Sequence, residues 1–143
     1  MKDKKIFIVV SGEPVAQGRP KFSTRHGVMR AIDPKNSSNW KQYARLVAQQ
    51  EMVGKSFLEG QLSLSVRVFR SMPKNLSKKK QLQALEGTLR PTTKPDTSNY
   101  VKGAEDALEG VVFANDSAIV NYHEPFGKWY SDMPRVEIEI KEI

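Results

Sequence analysis

No cysteine occurs among the 143 residues of this chain. That absence excludes a disulfide framework, a thiolate-ligated zinc or iron–sulfur centre and a cysteine nucleophile. Long apolar runs are missing too: the opening run, Ile6–Val10, is five residues. A bilayer span needs about 18 apolar residues and a secretory h-region about 7–15, so neither is expected, and the reading is of a cytoplasmic protein with no membrane partner. Histidine is scarce. His26 and His123 have no partner at metal-ligand spacing, and neither is assigned to a metal. There is no internal repeat.

What is present in quantity is positive charge. The chain carries 23 Lys and Arg against 16 Asp and Glu, a net charge of +7. The distribution is uneven. Residues 61–95 hold 8 basic and 1 acidic side chains, and residues 96–143 hold 4 basic and 10 acidic. A basic surface attracts polyanions through phosphate neutralisation and counterion release. The acidic end reads either as a solvated face or as a divalent-metal site facing the phosphates, and charge alone does not choose.

The hydrophobic pattern predicts one α+β domain over 1–143, too short for two cores. Lys4–Val10 is apolar on both alternation faces, which suggests a central strand. Residues 17–36 read as loops, with a hairpin around Arg25-His26-Gly27. Ser37 and Ser38 are N-cap candidates for an amphipathic helix of about four turns ending near Gly54. Leu62, Leu64, Val66 and Val68 alternate with polar residues as a half-buried strand. Residues 71–95 read as a mobile basic connection with a short helix at Ser77–Leu85. Asp96–Glu109 is the second main helix, closed by Gly110. Val111–Phe113 and Ala118–Tyr122 read as short strands, and Val136, Ile138 and Ile140 mark a terminal one. The expected architecture is one mixed sheet with two main helices packed on one side, in the order β-α-β-α-β-β.

The informative stretch is Lys94-Pro95-Asp96-Thr97-Ser98-Asn99-Tyr100-Val101-Lys102, then Glu105-Asp106-Ala107-Leu108-Glu109-Gly110-Val111-Val112, then Asn115-Asp116-Ser117-Ala118-Ile119-Val120. With Gly12-x-Pro14 and Gly18-Arg19-Pro20-Lys21 near the start, it resembles the RusA-type Holliday-junction resolvases, a family of crossover junction endodeoxyribonucleases. The pattern shared is K-P-D-x-D-N-x-x-K, a D-A-L-N-G-V helix end and a D-D-x-x-V turn. The resemblance covers both ends and roughly half the chain; residues 36–93 add little. It implies a homodimeric, Mg²⁺-dependent nuclease, with Mn²⁺ as a possible substitute, that resolves four-way DNA junctions by paired symmetric nicks. The family is common in phages and prophages.

Carried onto this chain, the motif makes Asp96 and Asp116 metal-holding and catalytic, with Lys102 as the motif lysine. The chemistry is consistent: Mg²⁺ is held by one or two carboxylates together with water and substrate phosphate. Taken singly, Asp96 is an ordinary N-cap and Asp116 an ordinary turn residue. Lys102 is equally a partner for Asp106 four residues on. One position departs from the family: Ser98 stands where a second acid is usual. Glu105 shares a helix face with Ser98 and Lys102 and is placed to substitute. The alternative is a protein that binds branched DNA with little or no cutting. Asn99 and Asp106 are supporting candidates. Arg19, Lys21, Arg25, Arg30 and the Lys78-Lys79-Lys80 run are candidate DNA contacts, since basic side chains position phosphates without reading sequence. Trp129, within Gly127-Lys128-Trp129-Tyr130, is the aromatic residue least explained by core packing and a candidate to stack at a junction centre.

Overall fold

In the computed structural model, which describes residues 4–17, 21–23, 30–32 and 35–143, the architecture is set by one strand with neighbours on both edges. The elements in chain order are β1 (Lys5–Ser11), β2 (Lys21–Ser23), β3 (Arg30–Ile32), α1 (Lys35–Glu51), β4 (Leu62–Ser71), α2 (Lys78–Glu86), α3 (Thr97–Leu108), a 3₁₀ turn (Asp116–Ala118), β5 (Ile119–Tyr122), β6 (Gly127–Ser131) and β7 (Arg135–Glu142). β4 pairs antiparallel with β7 along one edge. Along the other edge it pairs in parallel first with β5 and then with β6. β1 joins the far side of β7, completing a five-stranded mixed sheet, while β2 and β3 form a separate antiparallel pair. No helix among the described residues is long and apolar enough to cross a membrane.

Register explains the core. Ile8, Ile138 and Val66 lie side by side across β1, β7 and β4; Ile6, Ile140 and Leu64 form the next row, and Val10, Val136 and Val68 the third. All nine are buried. Period-2 alternation sends them to one face, and each buried aliphatic side chain contributes about 1.5–3 kcal/mol as an upper estimate. Helices α1 and α3 belong to the same core through Trp40, Ala44, Ala48 and Met52 from the first, and Tyr100, Val101, Ala104, Ala107 and Leu108 from the second. The alanines let the two helices approach closely. Arg45 on α1 then closes the end of α3, donating to the Asp106 carbonyl at 2.9 Å and the Glu109 carbonyl at 3.1 Å. A cation at those unpaired carbonyls is favoured by the helix dipole.

Several elements differ from the sequence reading. β1 is an edge strand of the sheet, not a central one: Phe7 and Val9 point to the outer face at 43% and 38% exposure. Their apolar character is accommodated there because the Arg67 guanidinium lies 5.3 Å from the centre of the Phe7 ring. Val111–Phe113 is not a strand. It is a tight turn in which Val111 and Val112 donate to the Leu108 carbonyl, and it drives Val112 and Phe113 into the core. α1 begins before the expected serines, so Ser37 is a buried first-turn residue and not the cap. β6 was not expected. β2 and β3 pair antiparallel on either side of the anticipated hairpin, whose tip at 25–27 lies outside the described residues, as do Arg19 and Arg25 and the side chains of Lys21 and Arg30. The 71–95 connection carries α2, capped by Ser77 and ended by Gly87 in the left-handed conformation.

This packing predicts that Ile138→Ala, at the centre of the middle row, costs about 2–5 kcal/mol in denaturant unfolding. Val53→Ala, at 78% exposure, is expected to stay within about 0.5 kcal/mol in the same measurement.

Candidate active site

Helix α3 and the turn before β5 carry the acidic residues. Asp96 occupies the N-cap position of α3 with extended backbone (φ −68°, ψ 149°), yet its side chain makes no capping hydrogen bond. The ordinary reason for an Asp at that place is therefore not in use. Its exposed side chain lines a groove of about 520 Å³ together with Glu13, Arg70, Lys94, Asn99 and Tyr100. Burial raises the pKa of the Tyr100 hydroxyl, with the positive charge of Arg70 opposing and the negative charge of Glu13 adding.

Asp116 is released in a similar way. The 3₁₀ turn it opens is capped by Asn115, whose Oδ1 accepts the Ser117 N–H at 2.9 Å. The Asp116 N–H is taken by Glu109 Oε2 at 2.8 Å. Two neighbours thus hold the turn, and the Asp116 carboxylate is not needed for it. What faces that carboxylate is Lys102, 3.9 Å from Asp116 Oδ2. Lys102 also donates to Asp106 Oδ1 at 3.1 Å, and Lys41 stands 3.9 Å from the other Asp106 oxygen. The Asp106 hydrogen bond, then its charge, raises the Lys102 pKa, with Asp116 and Glu105 adding to the effect. Lys102 is a cation held among carboxylates.

A second groove, of about 410 Å³, opens beside them, lined by Ser98, Val101, Lys102, Glu105, Tyr122 and Phe126 with Thr97 at its end. Ser98, Lys102 and Glu105 do share one face, as the helical spacing indicates. Glu105 accepts a hydrogen bond from the Tyr122 hydroxyl at 3.1 Å. Partial burial pushes the Glu105 pKa up, the Tyr122 hydrogen bond opposes this, and the nearby Asp116 charge pushes it up again. Tyr122 is half exposed and stacks on Phe126 at 4.9 Å between ring centres. Asn99 is exposed in the Asp96 groove, and its carbonyl accepts from the Gln17 N–H at 3.1 Å. The α3 face thus brings Lys102, Asp106, Asp116 and Glu105 together, while Asp96 and Asn99 line the neighbouring groove at the start of the same helix.

Among the described residues no three His, Cys, Asp or Glu side chains converge as a ready metal cage. The available donors are carboxylate oxygens in ones and twos. This donor set fits a hard ion such as Mg²⁺, which takes one or two carboxylates and leaves the remaining positions to water and phosphate.

His123 carries a role that spacing did not reveal. Asn121 Nδ2 donates to Ser63 Oγ at 3.0 Å, Ser63 Oγ lies 2.7 Å from His123 Nδ1, and His123 Nε2 lies 2.9 Å from Glu139 Oε1. The assignment that satisfies every group has the Ser63 hydroxyl donating to Nδ1 and Nε2–H donating to Glu139. This chain of bonds ties the exposed strand β5, which bears Tyr122, to the buried start of β4 and, through Glu139, to β7. Its residues lie 60 and 16 positions apart, so no local pattern announces it. Trp129 is also accounted for. It stacks on Phe69 at 5.7 Å, and the Arg90 guanidinium sits 4.1 Å from its ring centre. Lys78, Lys79 and Lys80 are exposed in the first turn of α2, a turn with no acid.

The hydrogen bond from His123 holds the Glu139 pKa below the usual carboxylate range. Its stabilising contribution is present above the unfolded pKa of about 4.3 and disappears as pH falls through the lower folded value. Denaturation midpoints of the wild type and Glu139→Gln should therefore differ at pH 6 and converge below about pH 4.

Two comparisons with known proteins bear on these grooves. A family model described as Endodeoxyribonuclease RusA matches residues 11–141. The protein YqaN of Bacillus subtilis (strain 168), itself described as uncharacterized, is 47% identical over 140 residues, covering 96% of each chain.

Proposed function

This chain belongs to the RusA endodeoxyribonuclease family, whose members resolve Holliday junctions, and on that premise we propose that it is a metal-dependent enzyme cutting four-way DNA junctions through Asp96, Asp116 and Lys102. The observation that carries this reading is that both aspartates stand at capping or turn positions and neither carboxylate caps: Asp96 makes no capping bond, and Asn115 and Glu109 hold the turn at Asp116. Among the described residues both carboxylates are thus left free of backbone hydrogen bonds, Asp116 facing only the Lys102 ammonium at 3.9 Å. That freedom suits the holding of a cation against DNA phosphate.

Asp96 and Asp116 would hold Mg²⁺, or Mn²⁺ in its place, with Glu105 making up for the acid that Ser98 lacks. A bound divalent ion lowers the pKa of water and stabilises charge growing on the scissile phosphate. Hydrolysis forms a bond from water oxygen to phosphorus and breaks the bond to the leaving sugar oxygen, which takes up a proton. Lys102 supplies positive charge beside Asp116 and would stabilise the charged phosphorane-like transition state. Asp106 keeps the Lys102 ammonium protonated and on this side of α3. Glu105, whose charged form is partly disfavoured by burial, becomes the better ligand once a cation is nearby.

The approach of DNA finds support in α2. Three lysines in the first turn of a helix oppose its dipole, at about 0.3–1 kcal/mol each when exposed. A polyanion lying there would reverse that penalty. Paired nicks on a two-fold junction require two related sites, so the acting unit is taken to be a homodimer. A DNA substrate places the work in the cytoplasm.

Purified protein should nick a labelled four-way junction symmetrically in Mg²⁺ or Mn²⁺, leave a matched duplex intact, and do neither in chelator. Asp96→Asn and Asp116→Asn should each lower the single-turnover rate at least about a hundredfold, the scale of several kcal/mol of lost charge stabilisation. Junction affinity in chelator should remain; normal cleavage by both variants would refute the assignment. Ser98 favours a second reading, a junction-binding protein without cleavage. In that case the wild type binds junctions but does not nick, and Ser98→Asp gains metal-dependent cutting.

A further inference from the structure

Strand β6 contributes nothing to the two carboxylate grooves, yet its first three residues all reach the segment that leads into Asp96. Lys128 Nζ donates to the Thr93 carbonyl and to the Pro95 carbonyl, each at 2.9 Å. The Lys128 carbonyl accepts from Arg90 Nε at 3.0 Å, and the same guanidinium lies over the Trp129 ring. Gly127 makes this possible. A Cβ built there would fall 2.4 Å from an Arg90 guanidinium nitrogen, and its φ of +146° disfavours any other residue. From the adjacent strand β4, Arg70 adds a second donor to the Thr93 carbonyl at 3.1 Å.

The need for such holding follows from the cap. A helix start is ordinarily fixed by its own N-cap side chain, and Asp96 does not perform that duty. Something else must set where the first turn of α3 begins. The carbonyls of Thr93 and Pro95 immediately precede it. A single ammonium bonded to both fixes the chain on either side of Lys94 with charge-assisted hydrogen bonds, stronger than neutral ones.

We propose that Gly127-Lys128-Trp129 is a latch for the 90–95 segment, and that Lys128 is a positioning residue that sets the place of the Asp96 carboxylate. This deepens the nuclease reading above and rests on it for the role of Asp96. Lys128 touches no substrate; its effect on the reaction passes through Pro95 to Asp96. The latch also assigns Trp129 to Arg90 and the sheet in place of a junction base.

The test compares wild type with Lys128→Met, which keeps the stem and removes the donors, and Lys128→Arg, which restores them. Three quantities are measured: amide hydrogen exchange by residue, junction affinity in chelator, and single-turnover cleavage in Mg²⁺. Lys128→Met should speed exchange at Asn99 and Tyr100, whose N–H groups are bonded to the Asp96 carbonyl, while leaving β1 and β7 unchanged. Affinity should stay within about threefold, while the cleavage rate drops by about 10–10²-fold, the scale expected when a reacting group is misplaced by an ångström. Lys128→Arg should recover most of the rate. Unchanged exchange at Asn99 and Tyr100 would overturn the latch, and faster exchange with an unchanged rate would overturn the positioning role. A wild type that does not nick would refute the nuclease reading and the positioning role with it, and the exchange measurement would still decide the latch. If Lys128→Met does not fold, Arg90→Gln breaks the latch one step earlier and should loosen the same two amides.

Discussion

Hydrogen bonding along both edges of β4 is the constraint from which the remaining arrangement follows. A strand paired on both sides sits mid-sheet and tends to be covered on both faces. β4 meets this unevenly: Leu62, Leu64, Val66 and Val68 face the helices, and Ser63 and Ser65 face the other way, equally buried. Buried hydroxyls need partners. Ser63 finds His123 and Asn121, and Ser65 finds the Pro125 carbonyl. All of those partners lie in the segment that runs from β5 into β6. The polar residues of one strand thus fix the course of the stretch carrying Tyr122 and, after it, Lys128.

The candidate site is built by delegation. The N–H groups of the Asp116 turn are taken by Asn115 and Glu109, and the approach to Asp96 is held at the Thr93 and Pro95 carbonyls by Lys128. Such an arrangement uses more residues than stability alone requires, which is the mark of side chains kept back for other chemistry. The Lys102 ammonium fits the same logic. It neutralises Asp106 and Asp116 while no DNA is present, so the acidic cluster is not left uncompensated in the resting protein.

How much of this was legible depends on the range of the interactions. β4 and β7 were readable because a period of two is a local signal, α1 because its apolar residues repeat at helical spacing, and α3 because Gly110 marks its end. The motif from Lys94 to Asp116 led to the acids and to Lys102. β1 was recognised as a strand but placed centrally, since two apolar faces look alike whether a helix or a distant Arg67 covers the second. Val111–Phe113 imitated a strand because residues plugging a core from a turn are just as apolar. β6 has no alternation, with one buried and four half-buried residues. It is a strand because β4 has an edge to offer. That Asp96 and Asp116 do not cap, and that Ser63, His123 and Glu139 join, are facts of tertiary placement with no counterpart in neighbouring letters.

The outer face of the sheet bears on how the basic charge can be spent. There Arg67 stands 3.6 Å from Glu137, Arg135 pairs with the same carboxylate at 2.9 Å, and Arg135 and Arg67 each cover a phenylalanine ring. Arg45, Arg70, Arg90 and Lys128 are directed at carbonyls within the fold. Six of the 23 Lys and Arg are thus tied to neighbours within the fold, and two of these, Arg67 and Arg135, are paired with a carboxylate. Counterion release counts phosphates neutralised, at a slope of about −0.9 for each in duplex DNA. On the proposed reading, the side chains left free to neutralise phosphates are fewer than the isoelectric point suggests, and among the described residues the lysines at the head of α2 are the group that stands without an acid in its turn.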